Sequence, residues 1–290
     1  MCDFICKNGI KCKNNKLNYS NFCHIISHYP SKEMYNLVAQ NITSNFISQR
    51  IPMNLIDLFE ISADGACLFR SLSSGLFYHC QKNLINLIDL FKKTKYLDNE
   101  NFLNDYLDIA ECLESNDYIL DTDLEENIAK QLQKTILNFI KNNEKLDISH
   151  IINNKLTLDE LLFICHEIPF NTYIKHYERF AGDDDFIVKE VIGELGEANE
   201  EKEEIEDRWG SILEIIVFCI IFKINVKIFS PQKLDKKTLK PINISNLKIN
   251  NIYLKEIDFV NCGEMNEEMW LLHRNTDKYS HYDFIRKKSI

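Results

Sequence analysis

Glycine and proline are scarce in this 290-residue chain, at 8 and 5 residues, which leaves little room for long flexible linkers. No apolar stretch reaches the roughly 18 residues that a bilayer-spanning helix needs. The chain also opens without a basic segment leading into an apolar run and a small-residue cleavage site. Neither membrane insertion nor export is therefore expected. Positive charge is in deficit: 34 Lys and Arg against 44 Asp and Glu give a net charge of -10, which argues against general nucleic-acid binding by the whole molecule. No internal repeat is found. What remains is a chain with 45% hydrophobic residues, enough for one substantial core and a small appendage.

The ten cysteines are unevenly spread. Cys67, Cys80, Cys112, Cys165, Cys219 and Cys262 are scattered, mostly in apolar surroundings, as in proteins of reducing compartments. Cys2, Cys6, Cys12 and Cys23 are instead crowded into the start of the chain and followed by His24 and His28, with few apolar residues to pack around them. A tetrahedral zinc site stapling a small module accounts for that crowding. Cys2, Cys12, Cys23 and His28 resemble a short cysteine/histidine module with Lys-Asn-Gly-x-x-Cys and a terminal Cys-x-x-x-x-His, although Cys6 or His24 could replace one member. A loose tail with reactive thiols is the competing reading. The segment is locally basic through Lys7, Lys11, Lys13 and Lys16.

One thiol stands in a different context. Ile56 to Ile61 reads as an extended segment, Ser62-Ala63-Asp64-Gly65 carries turn chemistry, and Phe69, Leu72, Leu76 and Cys80 recur at helical spacing. Cys67 thus falls in or just before the first turn of a helix. There the unpaired N–H groups and the positive dipole end favour a thiolate and can receive a developing oxyanion. A small buried side chain filling a helix start is the plainer alternative.

Such a nucleophile needs a base, and His281 is the best placed of the eight histidines. It opens the extended run His281 to Ile285, which follows Met269 to His273 across a polar connection, Arg274 to Ser280, in the manner of a hairpin. On a strand, His281 and Asp283 share a face and Tyr282 points the other way. Asp283 can then hold the imidazole tautomer and support its cation. A surface strand histidine is the alternative reading. His79 lies about three helical turns beyond Cys67 and reads as structural.

Elsewhere Ile212 to Phe222 is too continuously apolar for a surface helix, so it is expected in the core. Ile224, Val226 and Ile228 then alternate as a strand does. Further strands are expected near 252–259 and 267–273. The fold class is α+β, an α/β sandwich with a central sheet flanked by helices. Residues 1–30 are expected to form the cysteine/histidine module, 31–50 a connecting helix, and 51–290 the main domain with a helical arm at about 82–176.

Three blocks in order resemble one family. Asp64-Gly65-x-Cys67-Leu68-Phe69-Arg70 is similar to the nucleophile motif of the ovarian-tumour (OTU) cysteine proteases. His281-Tyr282-Asp283 is similar to their C-terminal His-Tyr-Asp/Asn, and Trp209-Gly210-Ser211-Ile212-Leu213-Glu214-Ile215 to their Trp-Gly-x-x-x-Glu segment. The resemblance, over roughly 51–290, implies a papain-like fold and a deubiquitinase that hydrolyses the bond after the C-terminal glycine of ubiquitin or a ubiquitin-like modifier. It implies a thioester on Cys67, His281 as general base and then acid, Asp283 as its orienting partner, and Asp64 within the catalytic loop. Gly65, Ala66, Trp209 and Tyr282 would meet substrate. No cofactor is implied for catalysis; zinc would be structural only. Partners would be ubiquitin, polyubiquitin and ubiquitinated proteins, with no membrane or nucleic acid and the protein a monomer. Ala66 stands where many members have Asn, and Phe284 where many have Ser. A catalytically inactive ubiquitin-binding scaffold is the alternative.

An acidic stretch from Asp183 to Asp207 reads as a solvated loop and helix, or as a rim that steers a basic partner. The abundance of Ile, Asn and Lys suggests an AT-rich genome, and the pairing of modules would suit a large DNA virus. The expected location is the cytoplasm, of a host cell if viral, or a virion, with the nucleus as another option.

Overall fold

The computed structural model describes residues 2–3, 5, 11–17, 20, 22–62, 66–83, 85, 87–94, 122–152, 154–175, 210–248, 250–262, 267–275 and 280–288. Its centre is a seven-stranded mixed sheet. In chain order the strands are β1 (Ile51–Pro52), β2 (Ile56–Phe59), β3 (Asn225–Leu234), β4 (Pro241–Asn243), β5 (Tyr253–Val260), β6 (Glu268–Asn275) and β7 (Ser280–Lys287). Their spatial order is β1-β5-β3-β6-β7-β2, with β4 paired to β3. β3 and β6 run parallel, with Val226 opposite Met269 and Ile228 opposite Leu271, and every other pairing is antiparallel.

The helices are α1 (Lys32–Ser48), α2 (Cys67–Asn83), α3 (Leu87–Lys93), α4 (Thr122–Asn142), α5 (Ser149–Ile152), α6 (Leu158–His166) and α7 (Ile212–Phe222). α2 packs on β6 and β7 and against α4, while α7 packs against α4, α6, β3 and β5. This arrangement is the expected α+β class, with the central helices gathered on one face of the sheet. On α4 the buried set Ile128, Leu132, Thr135, Ile136, Phe139 and Ile140 falls on one stripe at helical spacing, which is why a polar-looking segment docks on the core. α7 is buried along almost its whole length.

Along β7 the alternation has a clear meaning. Tyr282 and Phe284 join the large cluster with α2, α4 and α7, while Ile285 belongs to a smaller cluster with Ile56, Phe229, Leu254 and Leu272 on the sheet's other side. His281 and Asp283 share the parity of Ile285. Two close approaches fix the helices. A Cβ on Gly75 of α2 would lie 2.5 Å from the Met269 sulfur of β6, and one on Gly210 would lie 2.3 Å from Leu68 Cδ2. The second brings the entrance of α7 against the residue next to Cys67.

α1 carries Ser31 as its N-cap, whose side chain accepts from Met34 N–H. The chain before it packs on it: Leu17 and Tyr29 form one cluster with Val38 of α1 and Leu239 of the β3–β4 connection. Among the described residues, no helix is long and apolar enough to cross a membrane.

Candidate functional site

Cys67 is the first residue of α2 and is 1% exposed. Ala66, itself buried, starts the helix by accepting from Arg70 N–H through its carbonyl at 3.0 Å. The N–H groups of the first helical turn have no partner within the helix, which makes them donors available at the end of α2 that carries the thiol. Arg70 is buried one turn on and reaches Glu125 and Glu126 at 3.5 Å each, fastening α2 to α4.

His281 and Asp283 lie two residues apart on β7, 2% and 0% exposed. His281 Nε2 is 2.9 Å from Asp283 Oδ1. Nδ1, the nitrogen left over, is buried and makes no hydrogen bond among the described residues. It is the nitrogen free to face a thiol. Burial pulls the imidazole's affinity for its proton down, but the hydrogen bond to Asp283 and interactions with Cys67 outweigh it and raise the His281 pKa to about 9. Sulfur, imidazole and carboxylate, distant in sequence, thus meet in one buried site.

Two residues that sequence reasoning passed over complete it. Ser71 is one turn after Cys67, fully buried, and its Oγ donates to the carbonyl of Tyr282 at 2.9 Å. Tyr282 lies between His281 and Asp283, so this bond ties the helix that carries the thiol to the strand that carries the base. The i to i+4 spacing from Cys67 placed Ser71 on the same helical face and was the available signal. Arg274 of β6 sits opposite His281 in the ladder. Its Nη2 donates to Asp283 Oδ1 at 2.9 Å, and its Nε makes an ion-pair contact with Oδ2 at 2.7 Å. The backbone N–H of Ile61 donates to Asp283 Oδ1 at 3.1 Å. The sequence reading put Arg274 and Ser280 in a polar connection; the strands instead run on to Asn275 and begin at Ser280, because those two residues still pair. No hydropathy pattern marks such a polar continuation of a ladder.

No protein-family model matches the chain, and no curated protein matches it. Among solved structures, the chain is similar to the structure of a ceOTUB1 ubiquitin aldehyde UBC13~Ub complex, with 16% identity, a TM-score of 0.41, and 91% of this chain and 89% of that chain covered. It is also similar to the structure of h/ceOTUB1-ubiquitin aldehyde-UBC13~Ub, with 14% identity, a TM-score of 0.40 and coverage of 88% and 96%. A third likeness is to the structure of h/ceOTUB1-ubiquitin aldehyde-UBCH5B~Ub, with 13% identity, a TM-score of 0.37 and coverage of 89% and 98%.

Of the other residues singled out in the sequence, Asp64, Gly65 and Trp209 lie outside the described residues, as do the acidic stretch 183–207 and Cys6. Tyr282 is buried, its ring stacked on His273 at 4.7 Å between centroids, and it offers the site its carbonyl. Phe284 packs between Phe59 and Tyr78 in the core. His79 is buried, with Nδ1 3.2 Å from Asn83 Nδ2 and 3.8 Å from Glu267, and burial lowers its pKa. Glu214 is a fully buried carboxylate, accepting from Tyr173 Oη at 2.6 Å and Ser211 N–H at 2.6 Å, with His166 Nε2 at 3.2 Å. Burial pushes its pKa up, yet these partners lower it below the usual range. It closes the capping box of α7 and joins that helix to α6 and to residues 170–175.

A second cysteine/histidine group lies at the start of the chain. One ligand-type atom from each of Cys2, Cys12, Cys23 and His28 falls within 4.8 Å of the others, and all four residues are buried. Cys12 Sγ is 3.9 Å from Cys23 Sγ, Cys2 Sγ is 3.8 Å from His28 Nδ1, and Cys23 Sγ is 3.1 Å from it. A tetrahedral zinc site with arms near 2.3 Å for sulfur and 2.0 Å for nitrogen has edges of about 3.5–3.8 Å, so these residues fit such an ion. The Cys23 N–H also donates to Cys2 Sγ at 3.2 Å, the kind of outer contact that steadies a thiolate ligand. The group could hold a metal. His24, the alternative ligand in the sequence reading, is outside this group.

Proposed function

We propose that the protein is a cysteine-type deubiquitinase of OTU type that hydrolyses the peptide or isopeptide bond after the C-terminal glycine of ubiquitin or a ubiquitin-like modifier. The observation that carries this reading is the meeting of Cys67, at a helix N-terminus, with His281 held by Asp283, at the positions where the sequence resembles the motifs of that family. His281 takes the thiol proton at Nδ1. The Cys67 sulfur attacks the glycine carbonyl carbon, forming the C–S bond, and first-turn N–H groups of α2 receive the oxyanion. Collapse breaks the C–N bond as the imidazolium gives its proton to the leaving amine. Water then attacks the thioester, losing a proton to His281. The C–S bond breaks, and the proton returns to the thiolate.

Ubiquitin and ubiquitinated proteins are then the partners. Zinc, held by Cys2, Cys12, Cys23 and His28, would supply a structural staple beside the Leu17 and Tyr29 contacts with Val38 of α1, with no part in the hydrolysis. The second reading is an inactive ubiquitin-binding scaffold, and the observation in its favour is the near-complete burial of Cys67 and His281. A ubiquitin probe with a C-terminal electrophile separates the two. Covalent capture that disappears in Cys67→Ala supports the enzyme, and reversible binding by the intact protein without capture overturns it.

A further inference from the structure

The buried carboxylate of Asp283 serves two cations. On one side His281 Nε2 meets Oδ1 at 2.9 Å, and on the other Arg274 spans both oxygens at 2.9 and 2.7 Å. Asp283 is fully buried, whereas the Arg274 side chain keeps 21% of its exposure. An arginine stays charged at any pH a folded protein meets. A lone buried carboxylate beside an imidazole would bind the imidazolium so strongly that its proton became hard to give away. A carboxylate already matched by a guanidinium presents little net charge, yet it keeps its lone pairs and its orientation.

We propose that Arg274 is a positioning residue for the Cys67 site: it holds the Asp283 carboxylate in place and offsets its charge, so that a nearly charge-neutral Arg–Asp pair aligns His281 and leaves the imidazolium able to release its proton to a leaving group. What that release serves rests on the deubiquitinase reading; the electrostatic role does not. The groups around the imidazole and its carboxylate support this assignment from every packed element. α2 contributes the Cys67 thiol, and the segment before it the Ile61 N–H. β6 contributes Arg274 and His273, and the charge of His281, after burial, helps to hold His273 low. β7 contributes Asp283 itself and the Tyr282 phenol, raised chiefly by burial and then by Cys67, Glu214 and Asp258. Arg274 is the cation that touches the carboxylate besides His281 among the described residues.

The test is the ring titration of His281, followed by NMR in the full chain without substrate. Arg274→Gln is expected to move the midpoint to higher pH, by about threefold or more in proton affinity, and Arg274→Lys to hold it near the parent's. In the Asp283→Asn background the uncompensated arginine should repel the imidazolium, so adding Arg274→Gln should raise the midpoint there too. This comparison stands even if the single Arg274→Gln chain does not fold. A midpoint unmoved or lowered by Arg274→Gln, in either background, overturns the proposal. Capture of the electrophilic ubiquitin probe is scored separately, and its failure would remove the deubiquitinase reading while leaving the titration to decide the role of the arginine.

Discussion

The protein assembles thiols and imidazoles twice, and the two groups are built in opposite ways. At the N-terminal cluster three sulfurs converge on one ring within a few ångströms, and no carboxylate stands among the four residues. At the second site one sulfur faces one ring, the ring's far nitrogen is taken by a carboxylate, and that carboxylate is held by an arginine and a backbone N–H. Surplus sulfur suits a soft cation that must be held still. One sulfur at a helix end, with a ring fixed behind it, suits a proton that must move. The scaffolds differ accordingly. The first is made from a short stretch of chain packed on α1, and the second from α2 and β7, joined through Ser71 and the core.

That contrast can be broken experimentally. The largest effect is expected for Cys67→Ala, which should abolish capture of the ubiquitin probe and lower hydrolysis by at least about a thousandfold with the melting temperature retained. Cys23→Ser should do the reverse: metal measured in the purified protein should be lost and thermal stability should fall by several kcal/mol, on the order expected for a structural ion. Probe capture at low temperature by the still-folded fraction should survive in Cys23→Ser. If Cys23→Ser removed capture and left stability intact, the division of labour between the two groups would be wrong.

The pH dependence sharpens the same distinction. With its pKa raised from 6.5 to about 9, His281 contributes stability that is fully present below about 6.5 and lost as pH rises through about 9. Stability should therefore decline as pH rises through about 9, read as falling denaturation midpoints in a pH series. In Asp283→Asn, which weakens the cation, that decline should begin at lower pH, as the same series of denaturation midpoints would show. Gly210→Ala should cost about 1–3 kcal/mol by driving a Cβ into Leu68 beside the thiol, read as a lower denaturation midpoint with a smaller loss of capture. The smallest effect is expected for Ser71→Ala. Losing its bond to the Tyr282 carbonyl should cost about 1 kcal/mol, while a few-fold drop in capture would show that the bond also aligns the site.

Much of this architecture was legible from particular residues. The turn before Cys67 and the helical recurrence of Phe69, Leu72 and Leu76 located the start of α2. The apolar run Ile212 to Phe222 marked the buried helix, and alternation around Val226 and Tyr282 marked β3 and β7. Arg274 was not legible, because its meaning depends on register: it faces His281 only when β6 and β7 are paired, and by hydropathy it looks like part of a polar loop. Glu214 was seen as part of a motif, but its partners His166 and Tyr173 come from segments more than forty residues away. The close approaches at Gly75 and Gly210 were equally hidden, since a glycine in a helix or at its entrance carries no mark of what it lies against.

Sequence by itself determined the local elements and the chemistry available to them, because periodicity, turn residues and capping groups act within a few positions of the chain. Tertiary structure alone decided which of those groups meet. A hydrogen bond or ion pair reaches only about 3 Å, so the arginine behind the carboxylate and the serine that ties α2 to β7 acquire their roles only when the sheet and helix are packed in register.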